Sequence, residues 1–323
     1  GGDKDAQKTA IDSIHLAGVA SLMLPYDSNE SRKIINKMFS DMKWEKPEMK
    51  NLCGGDPTSV MGEEVDLTDA QSYFSTGGSA QSTVMTLNPT QNFISHYFTP
   101  GLNRKGMLLS HSVGTGKTCT AIATATREFE QAGYTILWVT RTTLKNDIWK
   151  NMFDQICSVS IANAVNAGTV KQSQLTGDER MKLLSKSWFI KPMSYKQFTN
   201  LVSKNNDFYK QLVKKNGEQD PLRKTLLIID EAHKLYGESD LGGAERPNVK
   251  ALYEAIMRSY ELSGPDSVRL LLMTATPMTS SPMELVQLLN LCRARTAAIP
   301  DEFAMFAATY LDATGKFTAD GET

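Results

Sequence analysis

The stretch GMLLSHSVGTGKTCTAIATAT, residues 106–126, has the pattern of an apolar strand, a glycine-rich turn and the start of a helix. In such a turn, glycines let successive backbone N–H groups face a phosphate, and the following helix adds its positive end. Lys117 brings charge to phosphate oxygens, and Thr118 brings a hydroxyl ligand for Mg²⁺. The predicted phosphate-binding residues are Ser112, Val113, Gly114, Thr115, Gly116, Lys117 and Thr118.

His111 occupies the position at which the longer phosphate-binding pattern GxxxxGK[ST] has its first glycine, so the strict pattern fails. The alternative is a glycine-rich turn that only connects a strand to a helix. The apolar run before the turn and the helical pattern after it favour the phosphate-binding interpretation, because phosphate-binding turns occur in that context.

Four further apolar runs follow along the chain, and helical patterns such as VKALYEAIMRSYEL (249–262) lie between them. The runs lack alternation of apolar and polar residues, which is typical of strands buried on both faces. Strands that alternate with helices predict a doubly wound, parallel α/β sheet. The runs are TILWVT (135–140), SWFIK (187–191), TLLIID (225–230) and VRLLLMTAT (268–276).

An acidic pair, Asp230 and Glu231, ends one of these runs within the sequence DEAH. Alone, the pair is equally compatible with a solvated turn. Together with the phosphate-binding turn, it predicts that Asp230 completes a Mg²⁺ site with Thr118 and that Glu231 activates the attacking water. We therefore expect Lys117, Asp230 and Glu231 to be the catalytic residues.

The sequence TATP, residues 274–277, ends the last apolar run. A Thr-Ala-Thr-Pro turn carries little information alone. Here three motifs end strands of one predicted parallel sheet, and ligands bind outside the carboxyl ends of such strands. We expect the three motifs to converge on one site.

The 323 residues carry 35 basic and 36 acidic side chains, a formal net charge of −1. This balance excludes a globally basic nucleic-acid-binding protein, so any such surface has to be local. The four cysteines lack CxxC spacing, which argues against a zinc site or a disulfide framework and favours a reducing compartment. No apolar stretch approaches the ~20 residues of a membrane span, and we expect a cytoplasmic protein without membrane contact.

Composition divides the chain into four parts. Residues 1–50 carry helical periodicity and predict a helical appendage, whereas residues 51–86 are rich in Gly, Ser and Thr and predict a linker. Residues 87–311 hold the strand–helix pattern of the ATP-binding domain. Residues 312–323 are polar, and neither this end nor the opening Gly-Gly has the pattern of a natural domain boundary.

With GTGKT as motif I, DEAH as motif II and TATP as motif III, the chain resembles superfamily 2 helicases and translocases from Leu87 to Leu291. The resemblance implies a RecA-like first motor domain that binds ATP and Mg²⁺. It implies that Gln91, in LNPTQNFISHYF, contacts adenine. It also implies residues that couple the nucleotide state to nucleic acid, namely His233, Thr274 and Thr276.

Two segments, VTRTTLKNDIW (139–149) and KPMSYKQF (191–198), resemble the nucleic-acid-facing motifs Ia and Ib of this family. Relatives often have proline where this chain has Arg141, which is equally compatible with a phosphate contact and with a solvated loop charge. The nucleic-acid contacts that the resemblance implies are Thr140, Arg141, Thr142, Ser194 and Tyr195.

The segment after motif III, TATPMTSSPMELVQLLNLC (274–292), looks most like the Snf2-type and viral branch. The HxxGxGKT loop is similar to that of the poxvirus nucleoside triphosphatase I and early transcription factor helicase subunit. The resemblance implies a DEAH-box ATPase of large cytoplasmic DNA viruses, in the host cytoplasm or the virion. It would act on DNA, with RNA as the alternative, in transcription or genome processing, with the viral transcription machinery as a partner.

Nothing after Leu291 resembles the second RecA-like domain, whose arginine completes the site in this family. We expect that domain, absent from these residues, as a partner. Two rival functions remain. The motor subunit of a restriction system also combines DEAH with TATP, and a non-hydrolysing scaffold would bind ATP only for assembly. The intact pair of Asp230 and Glu231 argues against the scaffold.

Overall fold

The computed structural model of the chain describes residues 33, 37, 87, 89–110, 116–141, 157–169, 192–237, 241–243 and 245–318. The predicted appendage and linker lie outside this part of the chain, apart from Lys33 and Lys37, which are helical. The predicted strand at 187–191 also lies outside it.

The described strands form one five-stranded parallel sheet in the order β1-β5-β4-β2-β3. Four strands coincide with predicted apolar runs, and β5 is shorter than its run. The fifth, β3, was not predicted because two residues are too short to show a pattern. The strands are β1 (Gly106–Ser110), β2 (Thr135–Thr140), β3 (Met193–Ser194), β4 (Thr225–Asp230) and β5 (Arg269–Thr274).

Helices follow the strands, as the sequence pattern predicts. They are α1 (Pro89–Tyr97), α2 (Lys117–Thr124, continued by a π-helical turn at Ala125–Phe129), α3 (Val159–Asn166), α4 (Tyr195–Val202), α5 (Asp207–Asn216), α6 (Val249–Ser263), α7 (Met283–Leu291) and α8 (Phe303–Tyr310). Side-chain oxygens of Ser158, Asn206 and Asn248 cap the amino ends of α3, α5 and α6. No helix in the described ranges is long and apolar enough to cross a membrane.

Neighbouring residues of each strand point to opposite faces of the sheet, and helices cover both faces. Trp138 and Ile228 pack with α1, α2 and α3 on one face. Leu137 and Leu227 pack with α4 to α7 on the other. Trp138 is 2% exposed, as expected of a core residue. The three layers confirm the predicted doubly wound, RecA-like α/β fold.

A disulfide joins Cys119 in α2 to Cys157, with their Cα atoms 5.1 Å apart. The expectation of a chain without disulfides is therefore wrong for this pair. The two cysteines are 38 residues apart in sequence, and only the packing of α2 beside the segment before α3 brings them together. The reducing compartment was predicted from the spacing of the cysteines, and this disulfide removes that argument.

Candidate functional site

Strands β1, β4 and β5 bring their motifs to one edge of the sheet. Ser110 at the end of β1 pairs with Thr274 at the end of β5, and Met273 of β5 pairs with Asp230 at the end of β4. Because β5 lies between the other two strands, motif III sits between motifs I and II. The predicted convergence of the three motifs is thus a property of the sheet register.

The described end of the phosphate-binding turn is Gly116, whose φ of 77° lies in the left-handed region that favours glycine. The Nε2 of Gln91 donates a hydrogen bond to the Gly116 carbonyl at 3.2 Å. A Cβ atom at position 116 would lie 2.5 Å from that Nε2, so a side chain there would displace the Gln91 amide. Gln91 is 4% exposed and braces the turn, while its adenine contact stays a prediction.

Helix α2 begins at Lys117, directly after the turn. No side chain caps this helix, and its first turn holds no acidic residue. The first backbone N–H groups and the positive helix end therefore remain available to an anion. Lys117 and Thr118 are half-buried here, as the prediction requires. The other predicted phosphate-binding residues, 112–115, lie outside the described part of the chain.

Asp230 is the last residue of β4, and two hydrogen bonds hold its carboxylate. The Thr140 hydroxyl donates to Oδ2 at 3.3 Å, and the backbone N–H of Glu231 donates to Oδ1 at 3.0 Å. Burial raises the pKa of Asp230 above its usual value, and the Lys117 ammonium opposes that rise. A carboxylate that experiences the charge of Lys117, the residue before Thr118, offers the hard oxygen ligands that Mg²⁺ prefers. These residues fit the predicted metal site.

Glu231 adopts left-handed backbone angles, φ 53° and ψ 47°, which are uncommon for a residue with a side chain. Such a conformation costs on the order of 1–3 kcal/mol and persists only where neighbours enforce it. Tyr195 is such a neighbour. Its hydroxyl donates to the carbonyl oxygens of Asp230 at 2.6 Å and Glu231 at 3.1 Å.

The predicted nucleic-acid contacts are only partly compatible with the structure. Tyr195 is 2% exposed and Thr140 is fully buried, so neither side chain is accessible in this structure, and their contacts with nucleic acid stay predictions. Their hydroxyls instead hold Asp230 and Glu231 in place. Ser194 is buried as well, and it forms a capping box with Gln197 at the start of α4. Thr142 lies outside the described residues.

Arg141 differs from those buried residues because its side chain is 40% exposed. Its Nε lies 3.1 Å from Glu231 Oε2. The Nζ of Lys234, whose side chain is 4% exposed, lies 3.2 Å from the same oxygen. Two cations thus flank the predicted catalytic carboxylate, an arrangement that the sequence pattern did not indicate.

His233 contacts motif III. Its Nδ1 lies 2.8 Å from the Thr274 hydroxyl, which also accepts a hydrogen bond from the backbone N–H of Thr276 at 3.0 Å. Burial lowers the pKa of His233 below its usual value, which favours the neutral imidazole. The three predicted coupling residues therefore form one hydrogen-bonded chain.

Sequence reasoning missed Glu284, which is 5% exposed. Its carboxylate accepts five hydrogen bonds from backbone and hydroxyl groups of residues 279–281. Burial alone would raise the pKa of Glu284, but these hydrogen bonds lower it to about 2. The Ser-x-x-Glu spacing of Ser281 and Glu284 is the sequence signal that could have revealed this clamp.

Comparison with known families gives one family match. The family described as type III restriction enzyme, res subunit, matches residues 67–279, which is more than half of this chain. The matched range contains all three motifs and the site residues described above, except Glu284 and its partners Ser280 and Ser281.

Three of the similar curated proteins come from viruses. A putative ATP-dependent RNA helicase of Acanthamoeba polyphaga mimivirus is 29% identical over 206 residues, 62% of this chain and 31% of that protein. Nucleoside triphosphatase I of Choristoneura biennis entomopoxvirus is 27% identical over 226 residues, 70% of this chain and 30% of that protein. A termination factor NPH-I homologue of African swine fever virus is 23% identical over 214 residues, 66% of this chain and 26% of that protein.

The chain spans less than a third of the length of these relatives. The predicted resemblance to viral superfamily 2 helicases and to the poxvirus nucleoside triphosphatase I is confirmed. The Snf2-type branch and the early transcription factor subunit stay predictions.

Proposed function

This chain belongs to the type III restriction enzyme res-subunit family, and on that premise we propose that it is the ATP-hydrolysing motor domain of a viral superfamily 2 helicase or translocase. The observation that carries the proposal is the convergence of Lys117, Asp230 and Glu231 at one sheet edge, with the turn after β4 hydrogen-bonded to Thr274.

Nucleotide binding starts at the amino end of α2. Its N–H groups and the Lys117 ammonium bind the β- and γ-phosphates of ATP. The Thr118 hydroxyl and the Asp230 carboxylate would hold Mg²⁺, which neutralises phosphate charge when bound. The hydrogen bonds to Asp230 from Thr140 and from the Glu231 N–H keep that carboxylate oriented.

Hydrolysis needs a base that faces the γ-phosphate, and Glu231 has that role in the proposal. Its carboxylate takes a proton from water as the water oxygen bonds to the γ-phosphorus. The bond from that phosphorus to the β–γ bridging oxygen breaks, and ADP and phosphate leave. Tyr195 acts as a positioning residue, because its hydroxyl holds the backbone on both sides of Glu231.

Coupling to nucleic acid follows from the chain of His233, Thr274 and Thr276. We place DNA as the substrate and a second RecA-like domain as the source of the arginine that stabilises transition-state charge. Such an arginine contributes about 10³–10⁵ in rate. Viral transcription is the process we favour, because one relative is named as a termination factor homologue.

Two alternatives have support of their own. The family description favours the motor subunit of a restriction system, which a nuclease motif or restriction partner would reveal. The printed name of the mimivirus relative favours RNA as the substrate. A non-hydrolysing scaffold is disfavoured because the acidic pair is intact, with the Asp230 carboxylate held by Thr140 and the Glu231 backbone held by Tyr195.

The test is an ATPase titration of the protein expressed from its complete reading frame. Duplex DNA, single-stranded DNA and RNA are compared at equal nucleotide concentration. We expect DNA to raise the turnover rate most. Stimulation by RNA alone would indicate that RNA is the substrate. Absence of ATP hydrolysis under all conditions would favour the non-hydrolysing scaffold.

A further inference from the structure

The carboxylate oxygen Oε2 of Glu231 is already engaged in this structure. Arg141 Nε approaches it to 3.1 Å and Lys234 Nζ to 3.2 Å. A general base has to lie within hydrogen-bond reach of the proton that it abstracts. Two cations around one oxygen compete with water for that position, so this arrangement holds Glu231 back from its role.

The two cations differ in how easily they leave. Lys234 is buried, and its backbone N–H donates to the Glu231 carbonyl at 3.0 Å within the turn after β4. Arg141 is 40% exposed and directly follows β2. Solvent screens an ion pair in proportion to its exposure, so the pair of the half-exposed Arg141 is weaker than that of the buried Lys234. Arg141 is therefore the cation that a competing anion can remove.

Phosphate groups of a nucleic acid are suited to compete for Arg141. A guanidinium binds a phosphate through two parallel hydrogen bonds, and in this structure the Arg141 Nε lies 3.1 Å from Glu231 Oε2. Neutralising backbone phosphates also releases counterions, which adds to the driving force. Among the predicted nucleic-acid contacts that the structure describes, Thr140, Ser194 and Tyr195 are buried, and Arg141 has the exposed side chain.

We propose that Arg141 is a releasable brake on Glu231, and that the phosphate backbone of a bound DNA strand draws Arg141 away and frees the carboxylate. The inference rests on the proposed function, since it assumes that Glu231 activates water. It assigns Arg141 as a positioning residue that acts through Glu231. ATP hydrolysis is then slow without DNA because Glu231 is paired, and it accelerates when DNA binds.

The test compares Arg141→Gln and Arg141→Lys with the wild type, each expressed from the complete reading frame, with and without oligo(dT) and duplex DNA. Arg141→Gln removes the charge, so its basal turnover rises several-fold, its stimulation ratio falls towards one, and its KM for ATP stays unchanged. Arg141→Lys keeps the charge and retains most of the brake.

The matched control is Arg223→Gln. Arg223 forms a similar ion pair with Asp266, with 2.7 Å between Nη2 and Oδ2. Arg223 precedes the first residue of β4, whereas Asp230 is the last residue of that strand. We expect this variant to keep both the basal and the stimulated rate. An increased basal rate of ATP hydrolysis in both variants would indicate general loosening of the fold and would contradict the proposed role of Arg141.

Other outcomes distinguish a failure of the Arg141 proposal from a failure of the proposed function. An unchanged basal rate in Arg141→Gln, with normal stimulation of the wild type, overturns the brake, because nucleotide phosphate alone would then already displace Arg141. A lower basal rate overturns it too, since Arg141 would then support hydrolysis. A wild type that hydrolyses no ATP, even with DNA, contradicts the proposed function instead.

Discussion

The Nδ1 atom of His233 lies 2.8 Å from the Oγ1 atom of Thr274, and this contact joins the turn after β4 to the end of β5. Thr274 is fully buried, and its hydroxyl also accepts the backbone N–H of Thr276. The turn that carries Glu231 is thus linked directly to motif III by a hydrogen bond.

Thr274→Val removes this link while keeping the shape of the side chain. His233 and the Thr276 N–H lose a partner, so we expect a loss of about 1–3 kcal/mol in the free energy of unfolding. The stimulation of ATP hydrolysis by DNA falls more than the basal rate. Denaturant unfolding and ATPase titration measure the two effects.

The control for this variant is Thr309→Val. Thr309 is an exposed threonine of α8 whose hydroxyl bonds only to the Met305 carbonyl among the described contacts. A Thr274→Val protein with an unchanged stimulation ratio would remove His233 and Thr274 from the coupling path.

Lys117→Ala removes the ammonium that the α2 amino end presents to phosphate. We expect weaker ATP binding and loss of turnover, with little change in unfolding, because Lys117 is only half-buried. Equilibrium binding of a fluorescent ATP analogue measures affinity. Lys210→Ala, which removes an exposed lysine paired with Asp207, is the control. Normal ATPase activity of Lys117→Ala would contradict a phosphate-binding turn.

Glu231→Gln retains the size of the side chain but removes its ability to take a proton. Turnover falls by about 10²–10⁴, the usual range for loss of a general base. Binding of Mg-ATP is retained, because Asp230 and not Glu231 is expected at the metal. Single-turnover hydrolysis and nucleotide binding distinguish the two steps. If binding disappears as well, Glu231 belongs to the metal site.

Glu284→Gln tests the clamp on residues 279–281. The amide oxygen replaces only part of the five hydrogen bonds, so the variant is destabilised by about 1.5–3 kcal/mol at pH 7. The lowered pKa of about 2 means that the carboxylate stabilises the fold fully above its ordinary value of 4.5. This contribution decreases as the pH falls from 4.5 towards 2.

Urea unfolding of the wild type and Glu284→Gln from pH 7 to pH 3.5 measures that dependence. The difference between them stays constant above about pH 5 and shrinks below it. Glu302→Gln, at an exposed glutamate before α8, shows no such change. A pH-independent difference would mean that the clamp does not depend on the charge of Glu284.

Local patterns were sufficient for the secondary structure around the site. Apolar runs without alternation define β1, β2, β4 and β5, since a strand buried on both faces needs apolar side chains throughout. The same reasoning missed β3, which is too short to show a pattern. It also missed the bond between Cys119 and Cys157, because spacing along the chain contains no information about two segments that meet across the fold.

The sequence by itself determined the parallel α/β fold, the strand ends at which Asp230 and Thr274 lie, and the helix start at Lys117, because spacing and residue type fix them. Only the tertiary structure decided what surrounds the carboxylates. Thr140 and Tyr195 belong to motifs that pattern matching placed on nucleic acid, yet Thr140 at the end of β2 and Tyr195 at the start of α4 both donate their hydroxyls to Asp230 at the end of β4. Which face a side chain takes, and which charge it meets there, depends on neighbours that are distant in sequence.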